Sequence, residues 1–214
     1  MKVIVIGANG KIGQQVVQLL QNEDQHTVKA MVRKESQLEP WKNSGVDAIL
    51  ADLEGSVDQL EEAIKGADAV VFAAGSGSKT GPDKTILVDM DGAIKATQAA
   101  KNAGADRFVM ISAQHANNRD DWFDSIRHYY AAKHYADQAL MESGLDYTII
   151  RPGLLKDDPG TGKVQAGDDL KTDEVARADV AETVLAVLNN DQTVKKSFDL
   201  IKGDTEIQEA VSKL

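Results

Sequence analysis

The sequence predicts an α/β fold in which helices cover both faces of a doubly wound, parallel β-sheet. Three observations predict this class. Short runs of β-branched and apolar residues alternate with longer stretches of helical periodicity, a glycine-rich turn follows the first run, and a Gly-x-Asp sequence precedes several later runs. Strands that alternate with helices in this way pair in parallel through right-handed crossovers, and their ligands bind at the carboxyl ends of the strands.

The first thirteen residues combine a strand, a glycine turn and the start of a helix. Residues 3–6 form an uninterrupted apolar run, as expected of a buried parallel strand, and helical spacing continues over residues 11–21. Glycines between them let the backbone approach phosphates closely, while free N–H groups at the helix N-terminus face the negative charge. This order predicts a pyrophosphate site for a dinucleotide, although ordinary strand-to-helix turns also contain glycines. The expected cofactor contacts here are Gly7, Asn9, Gly10, Lys11, Ile12 and Gly13.

Four later glycines mark helix ends that lead into the next strand. Each begins a Gly-x-Asp sequence, as expected of C-cap glycines, and they are Gly45, Gly66, Gly104 and Gly144. The further strands are predicted at residues 27–32, 48–51, 69–73, 107–111 and 147–150. The helices between them are predicted near residues 35–43, 57–64, 84–103 and 126–143.

The pattern changes after Pro152. Residues 153–175 are rich in glycine, aspartate and lysine without sustained periodicity, so we predict an irregular segment on the substrate side, with a surface excursion as the alternative. The final predicted elements are a helix at 175–188, a strand at 197–201 and a short helix at 206–214. Because no linker interrupts the pattern, we predict a single domain over residues 1–214 with a small C-terminal elaboration.

The composition fits a folded, enzyme-sized domain. Hydrophobic residues make up 42% and charged residues 27% of the 214 residues, which excludes wholesale disorder. A formal net charge of −10 disfavours a nucleic-acid partner, and the absence of cysteine excludes disulfides and thiol nucleophiles. Four scattered histidines without an H-E-x-x-H sequence predict no metal site. The chain opens on its first strand and has no apolar run near the roughly 20 residues of a membrane span, so we expect a cytoplasmic protein without a membrane partner.

The end of the second predicted strand bears on the choice of nucleotide. In this topology a carboxylate there binds the ribose 2′-hydroxyl of NAD, whereas an arginine accommodates the 2′-phosphate of NADP. Arg33 and Lys34 stand at this point. Arg33 lies twenty residues after Gly13. We therefore predict NADP(H) in preference to NAD(H). The alternative is a pair of solvated surface cations, and Glu35 lies close in sequence.

The third and fourth predicted strands end in residues suited to the rest of the dinucleotide. Asp52, followed by Leu53, can receive the adenine amino group, although a carboxylate here also suits a turn or a helix N-cap. The fourth strand ends in Ala73, Ala74 and Gly75, whose small size allows the ribose and nicotinamide to lie against the backbone.

A tyrosine and a lysine lie four residues apart in a predicted helix. Tyr129 and Lys133 therefore project from one helical face. Such a pair suits proton transfer to a carbonyl, because the ammonium stabilises tyrosinate and lowers a phenol pKa that is otherwise about 10. The lysine can also hold the nicotinamide ribose. Tyr130 is a second candidate acid, with poorer spacing to the lysine, and the same pattern also occurs in purely structural helices.

Together these motifs resemble the short-chain dehydrogenase/reductase superfamily, and more closely its atypical, single-domain NAD(P)-binding branch. That branch is related to the epimerase/dehydratase group and to flavin and biliverdin reductases. The resemblance rests on residues 7–13, 73–75, 109–112, 129–133 and 147–153 and covers nearly the whole chain. It implies a Rossmann-type fold that binds NADP(H), with Tyr129 as proton donor and Lys133 as its support. It also implies that Pro152 and Gly153 lie beside the nicotinamide.

One position departs from the superfamily pattern. The superfamily has a serine or threonine just past the fifth strand that orients the substrate oxygen, whereas Gln114 stands at that position here. An amide can still donate a hydrogen bond to a carbonyl, so Gln114 stays a candidate catalytic residue. Ser112 is a candidate for both catalysis and cofactor contact. The departure leaves open whether the superfamily's chemistry is retained.

The leading hypothesis is an NADPH-dependent oxidoreductase that reduces a small carbonyl compound, with a small molecule as its partner. One alternative is epimerase- or dehydratase-type chemistry with a tightly held cofactor. Another is a non-catalytic NADP(H) sensor, which needs no proton relay, and a weaker one is a flavin-type reductase. We expect either a monomer or a homodimer. In a homodimer, the two long helices predicted at 84–103 and 126–143 would form a four-helix interface.

Overall fold

A computed structural model of the protein describes residues 1–77 and 79–214. The strands are β1 (Lys2–Ile6), β2 (Thr27–Val32), β3 (Asp47–Leu50), β4 (Ala69–Phe72), β5 (Arg107–Ile111), β6 (Asp146–Pro152), β7 (Leu154–Lys156), β8 (Lys163–Gly167), β9 (Glu174–Ala176), β10 (Lys196–Lys202) and β11 (Thr205–Glu206). The helices are α1 (Lys11–Gln21), α2 (Leu38–Asn43), α3 (Val57–Ile64), α4 (Pro82–Lys84), α5 (Gly92–Ala103), α6 (Arg127–Glu142), α7 (Arg177–Leu188) and α8 (Ile207–Ser212). None of the helices in these two ranges has the length and apolar character needed to span a bilayer.

The main sheet has the order β11-β8-β10-β6-β5-β4-β1-β2-β3. All pairs from β3 to β10 are parallel, whereas β8 pairs antiparallel with both β10 and β11. The chain runs outward from β1 to β3 and then returns to β4 on the other side of β1. The order therefore reverses between β1 and β4, where such sheets open a crevice at their carboxyl ends. The predicted doubly wound α/β fold is confirmed.

Two apolar layers, one on each face of the sheet, explain the uninterrupted apolar run of β1. Val3 and Val5 belong to the layer shared with α1, α7 and α8. Ile4 and Ile6 belong to the opposite layer, shared with α3, α5 and α6. A strand covered on both faces needs apolar residues at consecutive positions rather than at alternate ones.

The predicted helix at 84–103 contains an irregularity. The chain is helical from Pro82 to Ala103, but Thr85–Asp91 forms a π-helical segment between α4 and α5. Thr85 and Asp89 are both buried in this segment. Segments with one extra residue per turn are rare and occur frequently at functional sites.

The segment at 153–175 is not irregular throughout, contrary to the prediction. It contains β7 and β9, which pair in parallel as a small second sheet, and β8, which joins the main sheet. The helix predicted to begin at Val175 begins at Arg177, because Val175 lies in β9. Strands of three to five residues are too short to show a period in the sequence.

Candidate active site

A cleft of about 270 Å³ opens at the carboxyl ends of β1 to β4, where the strand order reverses. The predicted cofactor residues that line it are Gly7, Asn9, Gly10, Arg33, Asp52, Leu53, Ala73, Ala74 and Gly75. The sequence analysis missed the lining residues Ile6, Met31, Val32, Gln37, Ala51 and Val88. Most of these immediately precede predicted contacts at strand ends, so the strand ends were the available signal. Gln37 and Val88 come from helical segments, and nothing in the sequence indicated that they line the cleft.

The glycine turn has the geometry of a phosphate cradle. Gly7 has a φ of +87°, and a Cβ there would lie 2.7 Å from the Ala74 Cα. A Cβ on Gly13 would overlap the Gly7 carbonyl oxygen. α1 begins without a side-chain cap and without an acidic residue in its first turn. Its first N–H groups and the positive end of its dipole therefore face the cleft unopposed, which fits an anionic diphosphate.

The tip of β2 presents one cation to the cleft. Arg33 is exposed, lines the cleft and, within the described part of the chain, forms no ion pair. Lys34 is also exposed but is not among the residues that line the cleft, so its predicted cofactor contact stays a prediction. Asp52 fulfils its predicted turn role, because its Oδ1 accepts a hydrogen bond from the Glu54 N–H at 3.0 Å, and it also lines the cleft.

The remaining predicted residues of the glycine turn have other surroundings. Ile12 is buried in the apolar layer, and Lys11 forms an ion pair with Asp157, beyond β7. Asp157 also pairs with Arg177 at 2.6 Å. Lys11 and then Arg177 lower the pKa of the Asp157 carboxyl. All three predicted residues at positions 11–13 lie outside the cleft lining.

Tyr129 and Lys133 lie on one face of α6, as their spacing predicts. The Lys133 Nζ is 5.7 Å from the centroid of the Tyr129 ring, and it donates to the carbonyl of Ile111 at the end of β5 at 3.5 Å. The lysine is buried and the tyrosine is partly exposed. This arrangement suits a proton donor that reaches a substrate while its supporting cation stays dry.

Asp89 connects this pair to the cleft. Its Oδ1 lies 3.3 Å from the Lys133 Nζ, and its Oδ2 accepts a hydrogen bond from the Ser76 N–H at 2.9 Å. Ser76 directly follows Gly75, which lines the cleft. The sequence analysis missed Asp89, because a carboxylate in the middle of a helix gives no signal of its own.

The net effect of these groups on Tyr129 is the opposite of the one expected from the lysine alone. Burial raises the pKa of Tyr129 above its ordinary 10.0, and Asp89 and Asp137 raise it further against the opposing effect of Lys133. Burial lowers the pKa of Lys133, but Tyr129 and Asp89 outweigh burial and raise it above 10.5. The expectation that the lysine brings the phenol toward neutrality is therefore wrong.

Gln114 is anchored to residues 168–172, here called the strap. Its Nε2 donates to the carbonyls of Leu170 at 2.9 Å and Lys171 at 3.2 Å. The Leu170 N–H in turn donates to the buried carboxylate of Asp199 at 3.2 Å. Because its donors are engaged by the strap, the expected hydrogen bond from Gln114 to a substrate carbonyl is not available in this arrangement.

Ser112 lies beside a buried ion pair. Arg151 Nε donates to Asp137 Oδ2 at 2.9 Å, and both side chains are buried. Burial raises the pKa of Asp137 against the opposing effects of Arg151 and Ser112. Ser112 is close enough to influence this carboxyl, but its Oγ makes no full hydrogen bond within the described residues. Its environment is therefore that of the buried charges rather than of the cleft.

Pro152 ends β6 and Gly153 follows it, and neither residue lines the cleft. A Cβ on Gly153 would overlap the Asp173 carbonyl oxygen, so the glycine permits a close approach of the chain that follows the strap. Their predicted contact with the nicotinamide has no support from this position.

Tyr130 packs in an aromatic cluster. It is buried and stacks on Trp122 with ring centroids 6.2 Å apart, and Trp122 Nε1 donates to the His115 carbonyl at 3.1 Å. The cluster anchors the loop between β5 and α6. Tyr130 therefore has the surroundings of a packing residue. Across residues 1–77 and 79–214, no three histidine, aspartate or glutamate side chains are grouped to hold a metal ion.

A protein-family model described as NAD(P)H-binding matches residues 7–191. The chain belongs to this family. A Bacillus subtilis protein named uncharacterized sugar epimerase YhfK is 53% identical over 214 residues, which is 100% of both chains. A solved structure from Bacillus halodurans, assigned provisionally as an NAD-dependent epimerase/dehydratase, has 41% identity and a TM-score of 0.93 over 100% of both chains. The oxidoreductase ylbE from Lactococcus lactis has 31% identity and a TM-score of 0.91, with coverage of 100% of this chain and 96% of its own.

Membership of this family assigns a nicotinamide dinucleotide as ligand, in an oxidoreductase- and epimerase-like group. The cleft lies where the fold class binds such a ligand, at the switch point and before the N-terminus of α1. Its open N–H groups suit the diphosphate of either NAD or NADP.

Proposed function

We propose that this NAD(P)H-binding protein is an NADPH-dependent oxidoreductase that reduces a small carbonyl compound. One observation carries the proposal: the proton donor is contiguous with the nucleotide cleft. Gly75 lines the cleft, and Asp89 joins the adjacent Ser76 amide to Lys133, whose ammonium lies beneath the Tyr129 ring. A nucleotide and a proton donor must meet at one carbonyl for this chemistry.

The residues of the cleft fit NADPH. The open N-terminus of α1 would hold the diphosphate, and Arg33 would hold the ribose 2′-phosphate that NADH lacks. Asp52 would receive the adenine amino group. Ala74 and Gly75 leave room for the nicotinamide riboside. When bound, the reduced nicotinamide supplies a hydride to the carbonyl carbon.

The chain's own residues supply the proton. Tyr129 donates its phenolic proton to the carbonyl oxygen as negative charge develops there, so that hydride and proton together give an alcohol. Its raised pKa keeps the proton in place until that charge forms. Lys133 then stabilises the tyrosinate. Because Tyr129 is partly exposed, solvent returns the proton before the next turnover.

Epimerase chemistry is the second candidate, and the names of two relatives favour it. An epimerase that oxidises and re-reduces its substrate needs Tyr129 as a base in its first half-reaction. The raised pKa of Tyr129 works against that step and favours net reduction. The two reactions differ in stoichiometry, because only net reduction consumes NADPH.

The test compares Tyr129→Phe with Tyr130→Phe. We expect the first variant to lose about 10²- to 10⁴-fold in kcat/KM, the range for a general acid, while its NADPH affinity stays within about twofold. The second should keep its turnover, since Tyr130 is a packing residue. NADPH oxidation with nitrobenzaldehyde and butanedione as probes measures both. Full turnover by Tyr129→Phe contradicts the proposal, and binding without turnover by any form indicates a nucleotide sensor.

A further inference from the structure

We propose that Asp89 is a positioning residue that cancels the charge of Lys133 and so sets Tyr129 to give a proton rather than to take one. The inference deepens the proposed function and rests on it. Asp89 touches neither the tyrosine hydroxyl nor a substrate in this arrangement. It acts through the lysine.

The geometry holds the Asp89 carboxylate in one orientation. The side chain is 3% exposed, with Oδ1 at 3.3 Å from the Lys133 Nζ and Oδ2 accepting from the Ser76 N–H at 2.9 Å. Asp89 lies in the π-helical segment Thr85–Asp91, between the cleft and α6. With both oxygens engaged, it has no freedom to leave the lysine unpaired.

The surrounding charges balance in pairs. Tyr129, Lys133 and Asp137 recur at intervals of four on α6, and Asp89 and Arg151 pair with the lysine and the aspartate from outside the helix. The four charged side chains are only 3–6% exposed, so water does little to screen them. Two cations face two anions, so the cluster carries no net charge, and Asp89 offsets the stabilisation that Lys133 gives to tyrosinate.

Removal of the Asp89 charge should therefore lower the pKa of Tyr129 and favour tyrosinate. The groups that act on Tyr129 are Lys133, which lowers its pKa, and Asp89 and Asp137, which raise it together with burial. In Asp89→Asn, an isosteric side chain keeps an oxygen for the Ser76 amide but leaves the charge of Lys133 uncancelled. The nearby cation then favours the ionised phenol.

The experiment follows the ¹³Cζ signals of labelled tyrosines against pH, without cofactor or substrate, and assigns Tyr129 by its loss in Tyr129→Phe. In the unmodified protein we expect Tyr129 to remain mostly protonated at pH about 10, where an ordinary tyrosine is half ionised. In Asp89→Asn its midpoint should fall by about one pH unit, the shift typical of an altered charge partner. Asp91→Asn is the matched control, because Asp91 lies on the same helical stretch but pairs with Lys95 at 2.8 Å.

Two results would overturn the inference: an unchanged midpoint in folded Asp89→Asn, or an unmodified Tyr129 that ionises below about pH 10. If circular dichroism shows that Asp89→Asn does not fold, the titration of the unmodified protein decides alone. A purely structural role for Asp89 would alter stability without moving the midpoint. The titration is also independent of the proposed reduction, since Tyr129→Phe turnover tests the one and the phenol midpoint tests the other.

Discussion

The two halves of the site differ in the kinds of groups that form them. The nucleotide half, the cleft lined by Gly7, Arg33, Asp52 and Ala74, consists of backbone, small residues and exposed polar side chains. The proton-transfer half, which comprises Tyr129 and the buried charges around it, consists of side chains from α6, β6 and the π-helical segment. The first half is formed by short turns at the ends of strands, whereas the second depends on contacts between elements that are distant in sequence.

This difference separates two kinds of consequence. An exposed side chain of the nucleotide half, such as that of Arg33, can be changed at little cost to the fold, because it faces solvent or ligand. A residue of the proton-transfer half is embedded among charges whose partners it leaves unpaired when it is removed. Substitutions should therefore reduce affinity in the first half and stability in the second.

The largest effect is expected from Arg151→Met in the proton-transfer half. Loss of Arg151 leaves Asp137 buried without its cation, which typically costs about 3–5 kcal/mol of unfolding free energy. Urea unfolding followed by circular dichroism measures the change. Arg127→Met is the matched control, because Arg127 and its partner Asp124 are 61% and 93% exposed, and a pair of that kind contributes at most about 1 kcal/mol. Equal losses in the two variants would remove the distinction between the halves.

An intermediate effect is expected from Gly13→Ala in the nucleotide half. The added Cβ would overlap the Gly7 carbonyl oxygen and displace the glycine turn, at a cost of about 1–3 kcal/mol. We expect NADPH affinity to fall by roughly 10- to 100-fold in a fluorescence titration. Gly167→Ala is the control, since a Cβ there meets only a Leu170 methyl at 3.7 Å, an ordinary contact distance. Unchanged affinity in Gly13→Ala would show that the turn does not hold the diphosphate.

The smallest effect is expected from Arg33→Ala. Removal of one exposed cation should weaken NADPH binding by about tenfold, or about 1.4 kcal/mol, and leave NADH binding unchanged. Lys34→Ala is the matched control, because Lys34 is an exposed neighbour outside the cleft lining. The proposed preference for NADPH fails if the unmodified protein binds both nucleotides equally, or if the two variants lose affinity alike for both nucleotides.

The same difference determines what the sequence predicts. The strand, glycine turn and helix at residues 2–21 are contiguous, so their spacing alone indicates a dinucleotide site. Tyr129 and Lys133 lie on one helical face for an equally local reason. Asp89 escapes prediction, because its contact with Lys133 joins two helical segments. Burial, together with Asp89 and Asp137, raises the pKa of Tyr129, so the direction expected from Lys133 alone is wrong.

Gln114 is a second residue whose contacts the sequence does not predict. Its position after β5 predicts a hydrogen bond to substrate, but only the fold brings the strap to its amide. β7 and β9 are likewise hidden in the sequence, because three residues carry no recognisable alternation and their pairing is decided by tertiary contacts. Local patterns thus give the nucleotide half, and distant pairings complete the rest.

Two hydrogen bonds hold the main chain of the strap at Leu170. Gln114 binds the Leu170 carbonyl and Asp199 binds the Leu170 N–H, so neither hydrogen bond depends on which side chain residue 170 carries. The side chain of residue 170 can therefore be exchanged without loosening these two hydrogen bonds. Because the backbone there is held independently of its own side chain, residue 170 can vary while the buried charges beneath Gln114 and Asp199 keep their arrangement.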